Sequence, residues 1–186
     1  AQYKLIELDS IERVKPILDG ACHGLNVTIP YKEEIIPFLD ELSPEAKAIG
    51  AVNTIVFSEG KAIGFNTDAF GFQQSIKPFL TFEHERALIL GTGGSSKAVA
   101  YVLRNLGIQV NFLSRKQPSG QQFSYEQVNE AMLSACKLIV NCTPVGMFPK
   151  IDGCPLPSLQ GIGPSHLVVD LIYNPEETLL LKEAKS

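Results

Sequence analysis

The stretch LILGTGGSSKA, Leu88 to Ala98, decides how the chain is read. An apolar strand-like run ends at Gly91, and Gly93 and Gly94 lead into SSKAVAYVLRNLG, which has helical periodicity. This is the strand–turn–helix context that a dinucleotide-binding turn needs. The first glycine permits the tight turn, the second lets backbone approach a pyrophosphate, and the helix N-terminus turns its N–H groups toward the phosphate. The third glycine of the usual G-x-G-x-x-G is Ser96 here, also small. The candidate cofactor-binding residues of this turn are Gly91, Thr92, Gly93, Gly94 and Ser95.

The next strand, IQVNFLS, points to the kind of dinucleotide. An NAD site ordinarily carries Asp or Glu about 20 residues on, to bind the ribose hydroxyls. This chain has Ser114, Arg115 and Lys116 instead. A carboxylate there would repel a 2′-phosphate, whereas a hydroxyl beside two cations would bind it, Arg115 in a bidentate manner. The expected cofactor is NADP.

Downstream the rhythm continues. SYEQVNEAML predicts a helix, CKLIVNCT a strand, HLVVDLIY a strand and EETLLLKEAK a helix, with a Pro- and Gly-rich loop from Pro144 to Pro164. Alternating strands and helices predict a parallel sheet covered by helices. Upstream, the polar TFEHE marks a boundary, giving domains 1–82 and 83–186. In the first of these, YKLIEL (Tyr3 to Leu8) alternates like a strand, SIERVKPILD reads as a short helix and GLNVTI as a strand. YKEEIIPFLDEL reads as a helix interrupted at Pro37, SPEAKAIG as a helix capped by Ser43, and AVNTIVF with KAIGFN as a hairpin across SEGK. TDAFGFQQSIKPFL closes this half as a helix ending near Pro78.

Lys32 stands out in GLNVTIPYKEE. With Pro30 as the first helical residue, Lys32 falls in the first turn, where the macrodipole favours anions. Such local conflicts mark functional or strained sites, although an exposed lysine reaching into water is an equal reading. Asn53 in an apolar strand, and Asn66, Thr67 and Asp68 where a strand turns into a helix, add polar groups at strand ends. Thr67 or Asp68 also suits a plain N-cap. Together the three clusters suggest a polar ligand site.

The 186 residues are 45% hydrophobic and 19% charged, with a formal net charge of −4. Nucleic-acid binding has no support in that balance. No apolar run approaches the ~20 residues of a bilayer span, and no signal-peptide pattern opens the chain. Ala1 in place of an initiator Met suggests a trimmed chain. Cys22, Cys136, Cys142 and Cys154 form no CxxC pair and no zinc spacing, so no metal is expected. They read as reduced core thiols of a cytoplasmic protein.

Six segments carry a family resemblance. NVTIPYK, GAVNT and NTDAFGF, then GTGGSSKA, NCTPVGM (Asn141 to Met147) and DLIYNPEET (Asp170 to Thr178), resemble the signature segments of shikimate dehydrogenases, in order and at similar spacing. The resemblance covers essentially the whole chain. It implies an α/β chain in which an N-terminal α/β substrate domain precedes a Rossmann-like NADP-binding domain with a parallel sheet. It also implies the reversible NADP-linked reduction of 3-dehydroshikimate to shikimate, a step toward chorismate, by a monomer or homodimer. The family's catalytic lysine and its aspartate partner fall on Lys32 and Asp68. Substrate contacts fall on Thr28, Asn53, Asp68 and Tyr173, and the nicotinamide side on Asn141, Thr143 and Met147. The chemistry suits these residues: ketone reduction needs a proton for the developing alkoxide, which a lysine held by a carboxylate supplies. A first-turn position would also make that proton easier to release.

The chain departs from the family at three places. No Ser-x-Ser precedes YKLIEL, no glutamine-bearing segment follows LLLKEAKS, and SRK replaces the more usual Asn-Arg-Thr. Rival readings are a quinate/shikimate dehydrogenase, which would share nearly every motif, a methylenetetrahydrofolate dehydrogenase, disfavoured by GAVNT with NTDAFG, and a non-catalytic NADP-binding module.

Overall fold

A computed structural model describes residues 3–20, 22–115 and 120–185. The chain divides into two compact units, Ala1–Asp68 and Ala69–Ser186. The division falls earlier than the 82/83 boundary suggested by TFEHE. The helix that begins at Asp68 lies between the two positions, and it groups with the second unit by its neighbours although TFEHE is the more polar stretch.

The first unit is built on a mixed four-stranded sheet. Its elements are helix α1 (Lys15–Leu18), strands β1 (Gly24–Asn26) and β2 (Glu41–Leu42), helix α2 (Pro44–Ile49) and strands β3 (Thr54–Ser58) and β4 (Lys61–Phe65). The strand order is β1-β3-β4-β2, antiparallel except for β2 beside β4. β3 and β4 form the expected hairpin. Glu59 and Gly60 both have positive φ, the backbone twist that a two-residue hairpin turn requires. α2 starts as expected, with the Ser43 hydroxyl accepting from the Ala46 N–H at 3.1 Å. Ile35, Ala46, Val52 and Ile55 lie at the centre of the core, with Leu25, Phe38, Leu42 and Phe57 packed around them.

Two expected elements of this unit are absent. Residues 3–8 form no strand, and Tyr3 and Leu5 stand about four-fifths exposed at 79% and 81%. Alternation gives a strand no stability unless a ladder partner pairs with it, and these residues have none among those described. Nor does YKEEIIPFLDEL form a regular helix. Residues 29–35 make turns and Ile36–Phe38 a single 3-10 turn. Pro37 has no N–H to give to the Glu33 carbonyl, and its ring would press on that group. Ile36 N–H bonds to Glu33 O instead, at 3.3 Å. SIERVKPILD likewise splits into a 3-10 turn, Ile11–Val14, and the short α1 with Pro16 in its first turn.

The second unit holds the alternating half: helix α3 (Asp68–Ile76, its first residue shared with the first unit), β5 (Arg86–Leu90), α4 (Gly94–Asn105), β6 (Gln109–Ser114), β7 (Gln122–Ser124), α5 (Glu130–Ala135), β8 (Leu138–Asn141), β9 (Leu167–Asp170) and α6 (Leu179–Ala184). Its five strands are all parallel, in the order β7-β6-β5-β8-β9. β8 is buried at every residue and β5 at all but its first, as strands covered on both faces must be. Leu88, Leu90, Leu113, Ile139 and Leu180 are wholly buried at the centre of this core.

SYEQVNEAML yields less helix than its pattern suggests. Ser124 and Gln127 close a capping box around a 3-10 turn, and Asn129 then caps the separate α5, accepting from Met132 N–H at 2.9 Å. The three-residue β7 just before it is too short to show a period. The order of the strands reverses between β5 and β8. In open parallel sheets the crevice at the carboxyl ends of two such strands is where ligands bind.

Candidate active site

In the first unit the polar residues singled out by sequence converge at the open end of the β3–β4 hairpin. Asn53 lies just before β3, not within it, and Thr67 and Asp68 lie just after β4. The register Thr54↔Phe65 brings the two ends together. Asn53 N–H donates to Phe65 O at 3.0 Å and Val27 N–H to Asn53 O at 2.8 Å, so Asn53 is fixed by backbone on both sides. Its side-chain amide donates to Asp68 Oδ1 at 2.7 Å and to Thr67 Oγ1 at 2.9 Å. Its carbonyl oxygen accepts from Thr67 N–H at 2.9 Å and from Thr54 Oγ1 at 3.0 Å.

Lys32 joins this cluster from a distant part of the chain. Its Nζ lies 2.7 Å from Asp68 Oδ2, with the lysine side chain 14% exposed and the aspartate 38%. Each carboxylate oxygen of Asp68 thus has its own donor, Lys32 on one and Asn53 on the other. The Lys32 carbonyl accepts from Val52 N–H at 2.7 Å, which ties the turn carrying the lysine to the segment carrying Asn53. That turn is not a helix start, so the expected first-turn position of Lys32, with aligned helix dipoles behind it, is not found. What places an ammonium here is the carboxylate. Thr28 stands exposed four residues earlier, and its carbonyl accepts from Tyr31 N–H at 3.0 Å. Thr54 and Thr67 complete the cluster. Thr67 reads locally as an N-cap, and only the hairpin register reveals its second role.

In the second unit the carboxyl ends of the strands gather the remaining candidates. Gly91 has φ +100°, a conformation that side chains resist, and a Cβ there would meet the Thr143 methyl at 3.1 Å. Its N–H donates to Leu113 O at 2.9 Å. Gly93 is exposed, with open space where a side chain would be, and α4 begins after it with no side-chain cap on its first N–H groups. Thr92, Gly94 and Ser95 follow the same turn, half-buried. Ser114 is buried at the end of β6 and Arg115 exposed directly after it; Lys116 lies outside the described residues. Tyr125 is half-buried; burial raises its phenol pKa while Arg115 nearby lowers it. An uncapped helix start, an open glycine and a basic strand end are what a phosphate-bearing dinucleotide needs, and the residues fit one.

Asn141, wholly buried, is engaged within the protein. Its carbonyl oxygen accepts from Thr143 N–H at 3.0 Å and Thr143 Oγ1 at 2.7 Å, and its amide donates to Asp170 Oδ1 at 3.0 Å. Met147 is 41% exposed and Tyr173 90% exposed. Desolvation pushes the Cys142 thiol up to about 12, the neighbouring Ser96 hydroxyl pulling partly the other way. Among the described residues, no group of three or more His, Cys, Asp or Glu side chains is placed to hold a metal ion, and no helix is long and apolar enough to cross a membrane.

Comparison with known proteins bears on both clusters. Residues 1–55 match the family described as shikimate dehydrogenase substrate binding domain. The chain is 44% identical to the shikimate dehydrogenase (NADP(+)) of Aquifex aeolicus, across 100% of this chain and 71% of that protein. It is 36% identical to the same enzyme of Methanosphaera stadtmanae, across 98% and 75% respectively. The structure superposes on shikimate 5-dehydrogenase from Thermus thermophilus, in complex with NADP(H) and shikimate, with a TM-score of 0.77 and 36% identity, over 94% of this chain and 67% of that one. The chain spans 60% to 75% of the length of the curated relatives it matches.

Proposed function

The chain belongs to the shikimate dehydrogenase family, and from that premise we propose that the protein reversibly reduces 3-dehydroshikimate to shikimate with NADP. The observation that carries the reading is the Lys32–Asp68–Asn53 cluster, an ammonium held by a carboxylate that is itself held by an amide. Family membership alone would leave a non-catalytic module open; an assembled proton donor with its partner argues for chemistry.

NADPH, when bound, supplies the hydride and NADP⁺ takes it back. The rest falls to the chain's own groups. Lys32 Nζ faces the oxygen that becomes the alkoxide, stabilises its charge and gives it a proton; in the oxidative direction the neutral amine takes that proton back. Asp68 keeps the ammonium aimed and leaves a carboxylate edge for a substrate hydroxyl. Asn53 and Thr28 add fixed polar partners suited to a hydroxyl-rich ring. Gly91 to Ser95 cradle the pyrophosphate, Ser114, Arg115 and Lys116 bind the 2′-phosphate, and Asn141, Thr143 and Met147 shape the nicotinamide side. Tyr173 serves the substrate carboxylate. In functional terms residues 1–82 are the substrate side and 83–186 the NADP side. The four cysteines are unpaired, which suits a reducing cytoplasmic setting.

The test is absorbance at the reduced-nicotinamide band, with shikimate or quinate as substrate and NADP⁺ or NAD⁺ as acceptor. Turnover with shikimate and NADP⁺ is the expected result. A preference for quinate would move the reading to the quinate/shikimate enzymes, and NADP⁺ binding without turnover would make the protein a non-catalytic binding module.

A further inference from the structure

The loop after β8 and the loop after β9 are laced together through one carboxylate. Asp170 Oδ1 accepts from the Asn141 amide and from Ile172 N–H, each at 3.0 Å, and Asp170 Oδ2 accepts from Thr178 Oγ1 at 2.7 Å. Asn141 and Thr178 are buried, at 0% and 1% exposure. The register Asn141↔Asp170 is the last pair of the β8–β9 ladder, so the network sits at the carboxyl ends of the strands.

Thr178 stands at the N-cap of α6, where its hydroxyl would ordinarily accept from the helix, yet it makes no cap bond and donates to Asp170. Further on, Phe148 N–H donates to Asn174 O at 3.0 Å, tying the same two loops a second time. The network reaches the cofactor turn at one point. Asn141 holds Thr143 by N–H and hydroxyl, and the Thr143 methyl occupies the space beside Gly91.

We propose that Asp170 is a positioning residue for the cofactor side of the site, with Thr178 as its support. It acts through Asn141 on Thr143 and so on the glycine turn. The proposal rests on the NADP reading given above.

The experiment measures NADPH dissociation by its fluorescence, together with KM values for NADP⁺ and shikimate, in the parent chain and in Asp170→Asn, Thr178→Val and Thr178→Ser. Loss of one buried hydrogen bond implies a rise of about three- to ten-fold in the NADPH Kd for Asp170→Asn and Thr178→Val. KM for NADP⁺ rises in step, KM for shikimate does not, and Thr178→Ser, which keeps the hydroxyl, matches the parent. A purely structural role would lower the folded fraction and apparent kcat while leaving Kd and KM where they were; that result, or parent-like Kd in both variants, overturns the proposal. A parent that binds NADPH but turns nothing over refutes the enzymatic reading alone, since the Kd series still decides the role of Asp170. A parent that binds no NADPH overturns both.

Discussion

Lys32 Nζ and Asp68 Oδ2 stand 2.7 Å apart across 36 residues of sequence, and the lysine is the more buried of the two. A lysine drawn in from solvent toward a half-exposed carboxylate gains a fixed direction. Lys32→Met removes the proton donor while preserving the apolar stem. We expect kcat to fall about 1,000-fold, within the range ascribed to positioned acid–base groups, with the NADPH Kd unchanged. Steady-state rates and NADPH titration check this. Turnover near the parent rate would remove Lys32 from the chemistry.

Asn53 is the hinge of the same cluster, since it bonds Asp68, Thr67 and the backbone of Val27 and Phe65. Asn53→Ala deletes the amide and leaves one Asp68 oxygen without that donor. A lost hydrogen bond to a charged group is worth about 1.5–3 kcal/mol, which predicts kcat/KM for shikimate lower by roughly 10- to 100-fold. KM for NADP⁺ should stay put. An equal effect on both substrates would mean that the unit itself is damaged.

Gly91→Ala meets two obstacles, a positive φ and the Thr143 methyl at 3.1 Å. Backbone strain of this kind costs about 1–3 kcal/mol, and both stability and NADPH affinity should drop. Adding Thr143→Ser removes the methyl and should recover part of the loss. Thermal melts and NADPH titrations of the single and double variants measure it; a fully tolerated Gly91→Ala would refute the tight-turn assignment.

His84 makes the second unit acid-sensitive. Burial holds its imidazole pKa below the usual 6.5, His166 and Lys137 push the same way, and Glu83 opposes them. Its Nδ1 accepts from Thr81 N–H at 2.9 Å, which the protonated ring gives up. Below about pH 6.5 the unfolded chain takes up a proton that the folded one resists, so stability is full above that pH and declines as pH falls through it. His84→Gln should flatten the decline in melting temperature between pH 7.5 and 5.5. Identical slopes in parent and variant would refute this.

Cys142 acts at the other end of the scale. Its thiol, raised to about 12 against an ordinary 9, keeps its proton while the unfolded chain would release it. Between those values stability therefore falls as pH rises. The folded chain should resist alkylation at Cys142 at pH 8, and unfolding should expose it, as read by mass spectrometry of labelled peptides. Rapid labelling of Cys142 in the folded state would contradict the raised thiol.

The second unit was largely legible in the sequence. RALIL and LIVN are unbroken apolar runs because parallel strands covered on both faces need nothing else, and the glycine turn announces itself by composition. The first unit was less so. YKLIEL alternates without a ladder to join, and one proline was enough to dissolve the helix expected around Lys32. The Lys32–Asp68 pair came from resemblance, because no local pattern spans 36 residues. Asp170 reads only as part of the strand HLVVDLIY and Thr178 as part of the helix EETLLLKEAK. Their link depends on how β8 and β9 align, which no short window contains.

The β3–β4 hairpin keeps its two ends apart. Asn53 and Thr67 work at the open end, while Glu59 and Gly60 turn the chain at the other, exposed to water just past the Ser58↔Lys61 pair, which lies four ladder steps from Thr54↔Phe65. At the usual rise per residue that is roughly 14 Å. The turn is therefore a natural place to graft a fluorophore or an affinity tag: the label would report on the folding of the unit, and the reacting groups would not feel the graft.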